Sequence, residues 1–475
     1  MMRHLRIVAA LAPVLLAAGA VGAAERFPPP DFTSHELPQT TTPPPASLVY
    51  EYADLAALAA GLALASYLAL VRRSRKGLLA LTVVSLVWLG FWRAGCICPI
   101  GAIQDVSLAV ADPSYVVPLS VVAFFTLPIL VALFFGRTFC AAVCPLGAAQ
   151  ELVALRPVRV PRWIDQSLRL IPYVYLGAAV LLAVTGGPFV ICDYDPFVTF
   201  FRLPRHATIA SANMLVLGGS FLVIGLFVGR PYCRYLCPYG AILGLCSKVS
   251  KRHARITPEE CIKCRLCEDA CPYGAIRAPT VELSPRERRR GRRRLAAMLV
   301  LLPVLVGVGL LLGLGLGVPL SRLHRTVRLA GYVRQAEQRP PEETPEQTPE
   351  EATGPIKERN DAVEAFRNTG RPPQEVYAEA AQLGARFRSA GGWLGAWVGL
   401  VFGVKLVHLS IRRRRAEYEP DKANCVSCGR CYWYCPHEQL RLGLIETLPV
   451  VEPGGPAPKK SNGQQPAELQ EARSR

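Results

Sequence analysis

The chain alternates long apolar runs with short polar stretches, a pattern typical of a helical membrane protein. A helix needs about 20 apolar residues to cross a bilayer. On this basis we predict a chain of several spans that follow an N-terminal segment, with the run at 77–92 the shortest of them. The predicted spans are residues 52–71, 77–92, 116–135, 170–191, 212–228, 295–320 and 391–411.

Four segments outside these apolar runs are recognisable by their composition. Residues 1–24 join basic residues, a short apolar core and small residues, which predicts a signal peptide or an N-terminal anchor. Residues 25–51 form a Pro-rich external linker, and the polar residues 446–475 form a disordered tail. Residues 321–390 form an external loop with an acidic Pro/Glu tract followed by a helical piece.

The charge pattern indicates topology. The 475 residues are 51% hydrophobic and carry a net charge of +18, and the Lys and Arg clusters stand where apolar runs end. Basic loops at 72–76 and 412–415 contrast with the base-poor loops at 93–115 and 192–211. The positive-inside rule then places the N-terminus outside and the C-terminus in the cytoplasm of an inner-membrane protein. Because the basic run at 286–294 adjoins a span, no nucleic-acid partner is expected.

A segment with a pair of cysteines occurs twice in the chain. "GRTFCAAVCPLGAAQ" at 136–150 returns as "GRPYCRYLCPYGAIL" at 229–243, each after an apolar run. Two thiols one helical turn apart do not complete a four-ligand site, whereas the duplication supplies four. A disulfide conflicts with a cytoplasmic position, and simple packing does not require the whole repeat. We therefore predict that four cysteines face one another in a redox or metal site: Cys140, Cys144, Cys233 and Cys237.

A second pattern, C-x2-C-x2-C-x3-C-P, also occurs twice and is typical of ligands to [4Fe–4S] clusters. Structural zinc is the alternative, but zinc sites separate their C-x2-C pairs more widely along the chain. The pattern predicts two [4Fe–4S] clusters near the cytoplasmic face. Their ligands would be Cys261, Cys264, Cys267, Cys271, Cys425, Cys428, Cys431 and Cys435.

The two motifs are halves of one predicted module. In two-cluster ferredoxins the cysteine before proline binds the other cluster. Residues 255–280 and 416–445 are separated by two spans and the external loop, and a membrane hairpin would return the second half to the first. We predict that Cys435 joins the first three thiols and that Cys271 joins the second three.

Weaker signals lie elsewhere. "FWRAGCICPIGAIQDV" resembles a third copy of the paired motif, and Cys96, Cys98 and Cys192 fall on the external side. They form either an external thiol or metal site, or a decayed repeat with a buried thiol. Lys405 and His408 either extend toward the membrane interface or contact a quinone. No pair of histidines sits at span depths suited to a haem, so none is expected.

The repeated G-R-x-[FY]-C-x3-C-P-x-G-A motif among apolar helices, followed by ferredoxin motifs, resembles the membrane polyferredoxins of the NosR/NapH type. The resemblance covers about residues 116–277 and 420–445. It implies electron transfer between the quinone pool or membrane and a partner oxidoreductase or cytochrome, as in a quinol dehydrogenase. NosR also has a covalent flavin at an S/T-G-A-T-type motif, which this chain lacks, so covalent flavin is not expected.

The predicted fold is mainly α: a polytopic helical membrane protein of about seven spans with a cytoplasmic ferredoxin-like α+β module split by a membrane hairpin. Its domains would be the membrane core at 52–254, the two cluster-binding segments and the hairpin of 295–320 and 391–411. The predicted function is membrane-bound iron–sulfur electron transfer. The alternatives are a redox-sensing or assembly protein and a transporter, the last disfavoured by the lack of charge within the spans.

Overall fold

A computed structural model provides the structure of most of the chain, and its helical content confirms the mainly α prediction. The predicted signal peptide, nearly all of the Pro-rich linker and nearly all of the C-terminal tail lie outside the described residues. Those residues are 48–93, 99–155, 157–158, 160–187, 189, 191, 200–201, 212–256, 261–280, 284–338, 355–411 and 414–448.

The first half of the chain is a series of helices of very different lengths. Two segments are wound as π-helices: Leu86–Trp92, which continues α2, and Phe139–Val143, which carries the first thiol pair. The α-helices are α1 Leu48–Leu70, α2 Arg75–Ser85, α3 Ala102–Ala111, α4 Leu119–Phe135, α5 Pro145–Val153, α6 Arg162–Leu168, α7 Ile171–Val184, α8 Ala212–Phe227, α9 Pro231–Tyr235 and α10 Pro238–Lys248.

The second half combines two long helices with short ferredoxin elements. Its elements are α11 Leu266–Ala270, β1 Ile276–Arg277, α12 Pro285–Ser321, α13 Arg325–Glu337, α14 Pro355–Asn368, α15 Pro373–Ser410, β2 Glu419–Pro420, α16 Arg430–Trp433 and α17 Pro436–Arg441.

Among the residues that the structure describes, five helical segments are long and apolar enough to cross a membrane by length and composition. They correspond to five of the predicted spans. The other two, predicted at 116–135 and 212–228, are α4 with 17 residues and α8 with 16 residues. The total number of spans therefore stays a prediction. The five segments are Val49–Leu70, Arg75–Trp92, Arg162–Val184, Pro285–Ser321 and Pro373–Ser410.

The last two spans are parts of much longer helices. α12 begins at Pro285, before the predicted start at 295, because Ser284 and Glu287 form a capping box that starts the helix within the basic run. α15 begins at Pro373 and not near 391, since the residues between contain good helix formers and no proline. The helical piece expected in the external loop is confirmed by α14 and by the start of α15.

The helices between the two long helices have a small core of their own. Ala330 and Val333 on α13 pack with Val363 and Phe366 on α14 and with Val376 at the start of α15. These apolar residues recur at helical spacing, so each helix presents one apolar face to the others. The long helices are thus joined by a packed helical connection at their far ends.

The two thiol-bearing repeats share one core. Tyr239 from the second repeat packs edge-on against Phe139 from the first, with ring centroids 6.1 Å apart and planes at 84°. Its hydroxyl donates to the Phe125 carbonyl of α4 at 2.7 Å, so this buried polar group has a partner. Leu62 of α1 and Leu243 of α10 belong to the same buried cluster. The repeats are therefore fixed against one another by apolar packing.

α12 and α15 meet along a seam of glycines. Gly309, Gly313 and Gly317 recur every four residues on α12, so they lie on one face of the helix. A Cβ on Gly313 would collide with the backbone of Gly391, and one on Gly309 with the backbone of Gly395. Such small-xxx-small faces let two apolar helices approach closely in a membrane. The seam holds the hairpin closed.

We predict that Gly313→Leu destabilises the protein by about 1–3 kcal/mol or more, because the new side chain must push the backbones apart. Gly315→Leu is the matched control, since a Cβ at Gly315 meets nothing within 4 Å. Thermal unfolding of the detergent-solubilised full chain measures the effect. An equal decrease of the unfolding midpoint in the two variants would contradict the proposed seam.

Candidate functional site

The two ferredoxin motifs meet through an antiparallel strand pair. Ile276 of β1 lies opposite Pro420 of β2, and Arg277 lies opposite Glu419. The amide of Asp421 donates to the Ala275 carbonyl at 2.7 Å, which extends the pairing toward the second motif. The halves are separated in sequence by the whole α12–α15 hairpin and yet form one packed unit.

One cysteine of the first motif lies among the cysteines of the second. A small cavity is lined by Cys425, Cys428 and Cys431 and also by Cys271. Tyr273, Ala275 and Val426 form the buried apolar cluster against which Cys271, Cys425 and Cys428 pack. These four thiols form one of the two sets predicted from the sequence, in which Cys271 joins the three thiols of the second motif. We call this exchange of the last cysteine between the motifs the crossover.

The first motif has the reciprocal arrangement with Cys435. Cys267 and Cys435 are buried in one cluster, with Cys261 packed against it. Burial raises the pKa of Cys435, and the nearby Cys264 and Cys261 raise it further. The thiol of Cys435 therefore lies close enough to the first motif to act on it electrostatically.

The loops that carry the thiols have the backbone shape of a ligand cradle. Lys263, Arg265 and Ser427 have positive φ values of 56°, 62° and 53°, a conformation that non-glycine residues rarely adopt. The amide of Ser427 donates to Cys425 Sγ at 3.4 Å. Backbone donors aimed at sulfur suit a negatively charged thiolate better than a neutral thiol.

The surroundings of these thiols fit a bound cluster. Burial raises the pKa of Cys267 and of Cys425 to about 12, so a free thiol in either place would be protonated at neutral pH. Coordination to iron supplies the positive charge that makes such thiols ionise. In the described part of the chain, no three His, Cys, Asp or Glu side chains converge on a single-ion site. A cluster of several irons spreads its ligands more widely than one ion does.

The four cysteines of the paired motifs lie in one core. All four pack in the core shared by the two repeats, Cys237 as a buried member and the other three at its edge. Gln150 bridges the repeats: its Nε2 donates to Cys233 Sγ at 3.2 Å, and its Oε1 accepts from the Tyr232 amide at 3.0 Å. One repeat thus supplies a polar group to the thiol of the other.

The arginine of each Gly-Arg pair reaches into the opposite repeat. A Cβ on Gly240 would meet Arg137 of the first repeat at 3.1 Å, and one on Gly147 would meet Arg230 of the second at 3.0 Å. The glycine of each C-P-x-G segment therefore leaves room for the arginine. This exchange gives the paired thiols two buried cations and explains why the repeat contains more than its cysteines.

Arg137 is buried and forms no ion pair with a carboxylate in the described part of the chain. Its guanidinium donates to the Ala423 carbonyl at 3.0 Å and to Cys140 Sγ at 3.8 Å, and its Nε has no partner. A buried cation is costly unless a negative charge lies nearby. The groups best placed to carry that charge are the paired thiols as thiolates.

Glu151 is the centre of an ion network that ties the site together. Its carboxylate pairs with Arg230 at 3.1 Å, with Arg430 at 2.7 Å and with Arg75 at 3.5 Å, and it accepts from the Tyr273 hydroxyl. Burial alone would raise the pKa of Glu151, but Arg230 and Arg430 lower it from 4.5 to about 2. One carboxylate thereby joins both repeats to both ferredoxin halves.

The remaining predicted residues have different outcomes. Cys96, Cys98 and Cys192 lie outside the described residues, although Gln104 of the third copy accepts from the Ile191 amide at 2.9 Å. Cys246 is a partly buried thiol packed against the shared core.

Lys405 and His408 line a cavity between the membrane helices and the ferredoxin unit.

Sequence reasoning missed the ion network. Glu151 reads as an ordinary polar residue near a helix end, and only the structure reveals its partners. Arg137 and Arg230 could have been found, because the Gly-Arg pair is part of both repeats and lies beside an apolar run.

Two four-thiol sets in a joined ferredoxin unit, beside a third set from a duplicated motif, define a class of iron–sulfur protein. A 4Fe-4S binding domain family matches residues 117–163 and 211–257, the two paired-thiol repeats. A second 4Fe-4S binding domain family matches residues 254–277, the first ferredoxin motif. No solved structure matches the chain.

The resemblance to iron–sulfur proteins of the NosR/NapH type is confirmed by the curated relatives of the chain. It is 32% identical to YccM of Escherichia coli, covering 30% of this chain and 43% of YccM. It is 31% identical to NirI of Paracoccus denitrificans over 46% of this chain and 33% of NirI. It is 31% identical to the regulatory protein NosR of Pseudomonas aeruginosa over 44% of this chain and 30% of NosR. The chain thus spans less than half the length of each.

We predict that Glu151→Gln destabilises the protein by about 3–5 kcal/mol, because it leaves buried guanidiniums without their counter-charge. Glu375→Gln is the control, since that exposed carboxylate pairs only with exposed arginine and should cost about 0.5 kcal/mol or less. Chemical denaturation of the solubilised chain measures the free energy of unfolding of both variants.

The effect of Glu151 should also depend on pH. Because the pKa of Glu151 is depressed, its contribution to stability is present above pH 4.5 and is lost as pH falls toward about 2. A difference from wild type that persisted unchanged at the acid end of this window would contradict the assignment.

Proposed function

We propose that this chain is a membrane-bound iron–sulfur protein that relays electrons between the quinone pool and a partner oxidoreductase. The observation that carries the proposal is the contiguity of three sets of buried and partly buried thiols. YccM, one of the relatives, is named for electron transport. Bound iron–sulfur clusters would accept and release one electron at a time.

The ligand sets follow the crossover. Each ferredoxin set would take three thiols from its own motif and one from the other half, as the second-motif cavity and the packing of Cys435 support. The paired thiols would form the third, membrane-proximal set. The sets are Cys261, Cys264, Cys267 and Cys435; Cys425, Cys428, Cys431 and Cys271; and Cys140, Cys144, Cys233 and Cys237.

The three sets follow one another in space. Cys140 of the paired set packs on the same apolar cluster as Cys271, Cys425 and Cys428. Cys431 of the second set and Cys435 of the first share the neighbouring cluster. Electrons entering at the paired thiols would therefore pass to the second ferredoxin set and then to the first, which would face the partner.

Arg137 supports a metal-bound paired set over a set of neutral thiols. Its buried charge lies against Cys140 and finds no carboxylate in the described residues. Four thiolates around iron would supply the balancing negative charge, whereas neutral thiols packed in a core would leave the cation unpaired. Arg137 also holds the Ala423 carbonyl and so positions the second motif beside the paired set.

The proposed membrane placement is an inner membrane crossed several times, with the N-terminus outside and the ferredoxin unit in the cytoplasm. It is supported by the basic loops and by the apolar helices. A regulatory role is the second candidate, because the relative NosR is named a regulatory protein. Turnover with quinol separates the two, since a sensor needs no steady electron flow.

The first test measures quinol oxidation by the full chain in nanodiscs. The visible absorbance of the clusters reports their reduction. A quinol analogue should bleach them, and Cys140→Ala/Cys233→Ala should slow bleaching roughly tenfold or more through loss of the entry site. Dithionite should still bleach the ferredoxin clusters of that variant. Cys246→Ala is the cysteine control and should behave as wild type. Clusters that dithionite reduces but quinol never does would overturn the quinone assignment.

The crossover is tested by EPR of the reduced chain. Cys428→Ala should disable the second set and leave the signal of the first. Adding Cys435→Ala should then remove the signal of the first set and leave at most that of the paired thiols, whereas adding Cys271→Ala should leave the signal of the first set in place. If Cys271→Ala removes the first-set signal and Cys435→Ala does not, the two motifs are independent single-cluster modules.

Topology is tested with reporters. An enzyme active only in the cytoplasm should work when fused at the C-terminus and fail when inserted within 340–355. An active insertion would reverse the assignment of both long helices that flank this loop.

A further inference from the structure

A cavity of about 1780 Å³ opens between the membrane helices and the ferredoxin unit. Tyr173 on α7, Leu245 on α10 and Val404 on α15 line its sides, and Asp421 lies where it meets the residues after β2. Its volume exceeds that of an ordinary small-molecule pocket, roughly 300–1,000 Å³. The space is therefore large enough for an amphiphile with a long apolar chain.

The lining changes from apolar to cationic along α15. Trp397, Leu400, Val401 and Val404 line the cavity and are followed by Lys405. From Trp397 to Lys405 the helix rises about 12 Å at 1.5 Å per residue. An apolar wall that ends in a cation at the helix end is the polarity order of a membrane interface.

The lining of the cavity carries an excess of positive charge. Eleven Lys and Arg side chains line the cavity, against the three carboxylates of Glu417, Glu419 and Asp421. Some of these cations are neutralised: Arg277, for example, pairs with Asp421 at 2.8 Å.

Others are not neutralised in this way. Lys248, Arg255 and Lys405 form no ion pair within the described part of the chain. The cavity thus offers unneutralised cations beside an apolar wall.

We propose that this cavity binds an anionic phospholipid, with its phosphate near Lys405 and Lys248 and an acyl chain along Trp397 to Val404. The proposal rests on the membrane placement proposed above. Basic pockets between helices at the cytoplasmic face suit anionic headgroups, at about 1 kcal/mol for each Lys or Arg near the surface. A neutral quinone would fill the apolar part but would leave the cations unbalanced.

Such a lipid would also protect the site. Cys233 and Cys237 of the paired set line the same cavity, so a bound acyl chain would keep water from their side. It would fill the space between α7, α15 and the ferredoxin unit, where Trp397 Nε1 donates to the Tyr173 carbonyl at 2.8 Å. The lipid would act as a packing element between membrane helices and cluster-binding domain.

The first experiment needs no variant. Full-length protein is delipidated in mild detergent, and its thermal midpoint is followed as phosphatidylglycerol or phosphatidylcholine is added. Phosphatidylglycerol should raise the midpoint at concentrations at which phosphatidylcholine does not. Equal responses to both lipids would overturn the proposal.

The second experiment locates the site by mass spectrometry of lipid retained by the purified chain. Lys248→Ala/Lys405→Ala should weaken retention of anionic lipid roughly tenfold or more. Lys76→Ala/Arg252→Ala is the matched control, because both residues are exposed and neither lines the cavity. Cluster absorbance verifies that each variant is folded. Equal retention in the two variants, or a stoichiometric quinone in place of phospholipid, would overturn the assignment without bearing on electron transfer itself.

Discussion

The buried carboxylate of Glu151 is the interaction on which the arrangement of the site depends. It lies on α5, directly after the first repeat, and pairs with Arg230 of the second repeat and Arg430 of the second ferredoxin motif. It also accepts from Tyr273, just beyond the first motif. Truncating one member of a buried ion network lowers the folding stability by far more than the intact network adds to it, because the partners remain buried and charged. The network therefore specifies one arrangement of four chain segments that sequence separates widely.

That arrangement requires the hairpin of α12 and α15 to bring the ferredoxin halves back together. Closing a flexible loop costs only about 0.6 kcal/mol more for each doubling of its length, so a long insertion is tolerable. In the described part of this insertion, the glycine seam and the helical core of α13, α14 and the start of α15 hold the hairpin closed. β1 and β2 then pair close to the start of α12 and the end of α15, so the hairpin positions the ferredoxin unit directly.

The chemistry of the site could be predicted from sequence better than its connections. Cysteine spacing indicates clusters because few other sites use it, and duplication of the paired motif predicted that Cys140 and Cys233 would approach one another. Helix ends were predicted less well: α12 starts at a capping box at Ser284, ten residues before the predicted start of the span at 295. Glu151 could not be predicted, because its role comes from arginines brought to it by tertiary structure. The glycine spacing on α12 and α15 was visible in the sequence, but its partner face was not.

The central claim is that one ferredoxin unit, assembled from two distant halves, lies beside the paired thiols. The most direct measurement is an iron anomalous-difference map of crystals of the full chain. We expect three iron sites: one among Cys271 and the second-motif thiols, one among Cys435 and the first-motif thiols, and one among the paired thiols. Iron bound within each motif by its own four cysteines, with none at Cys140 and Cys233, would contradict it.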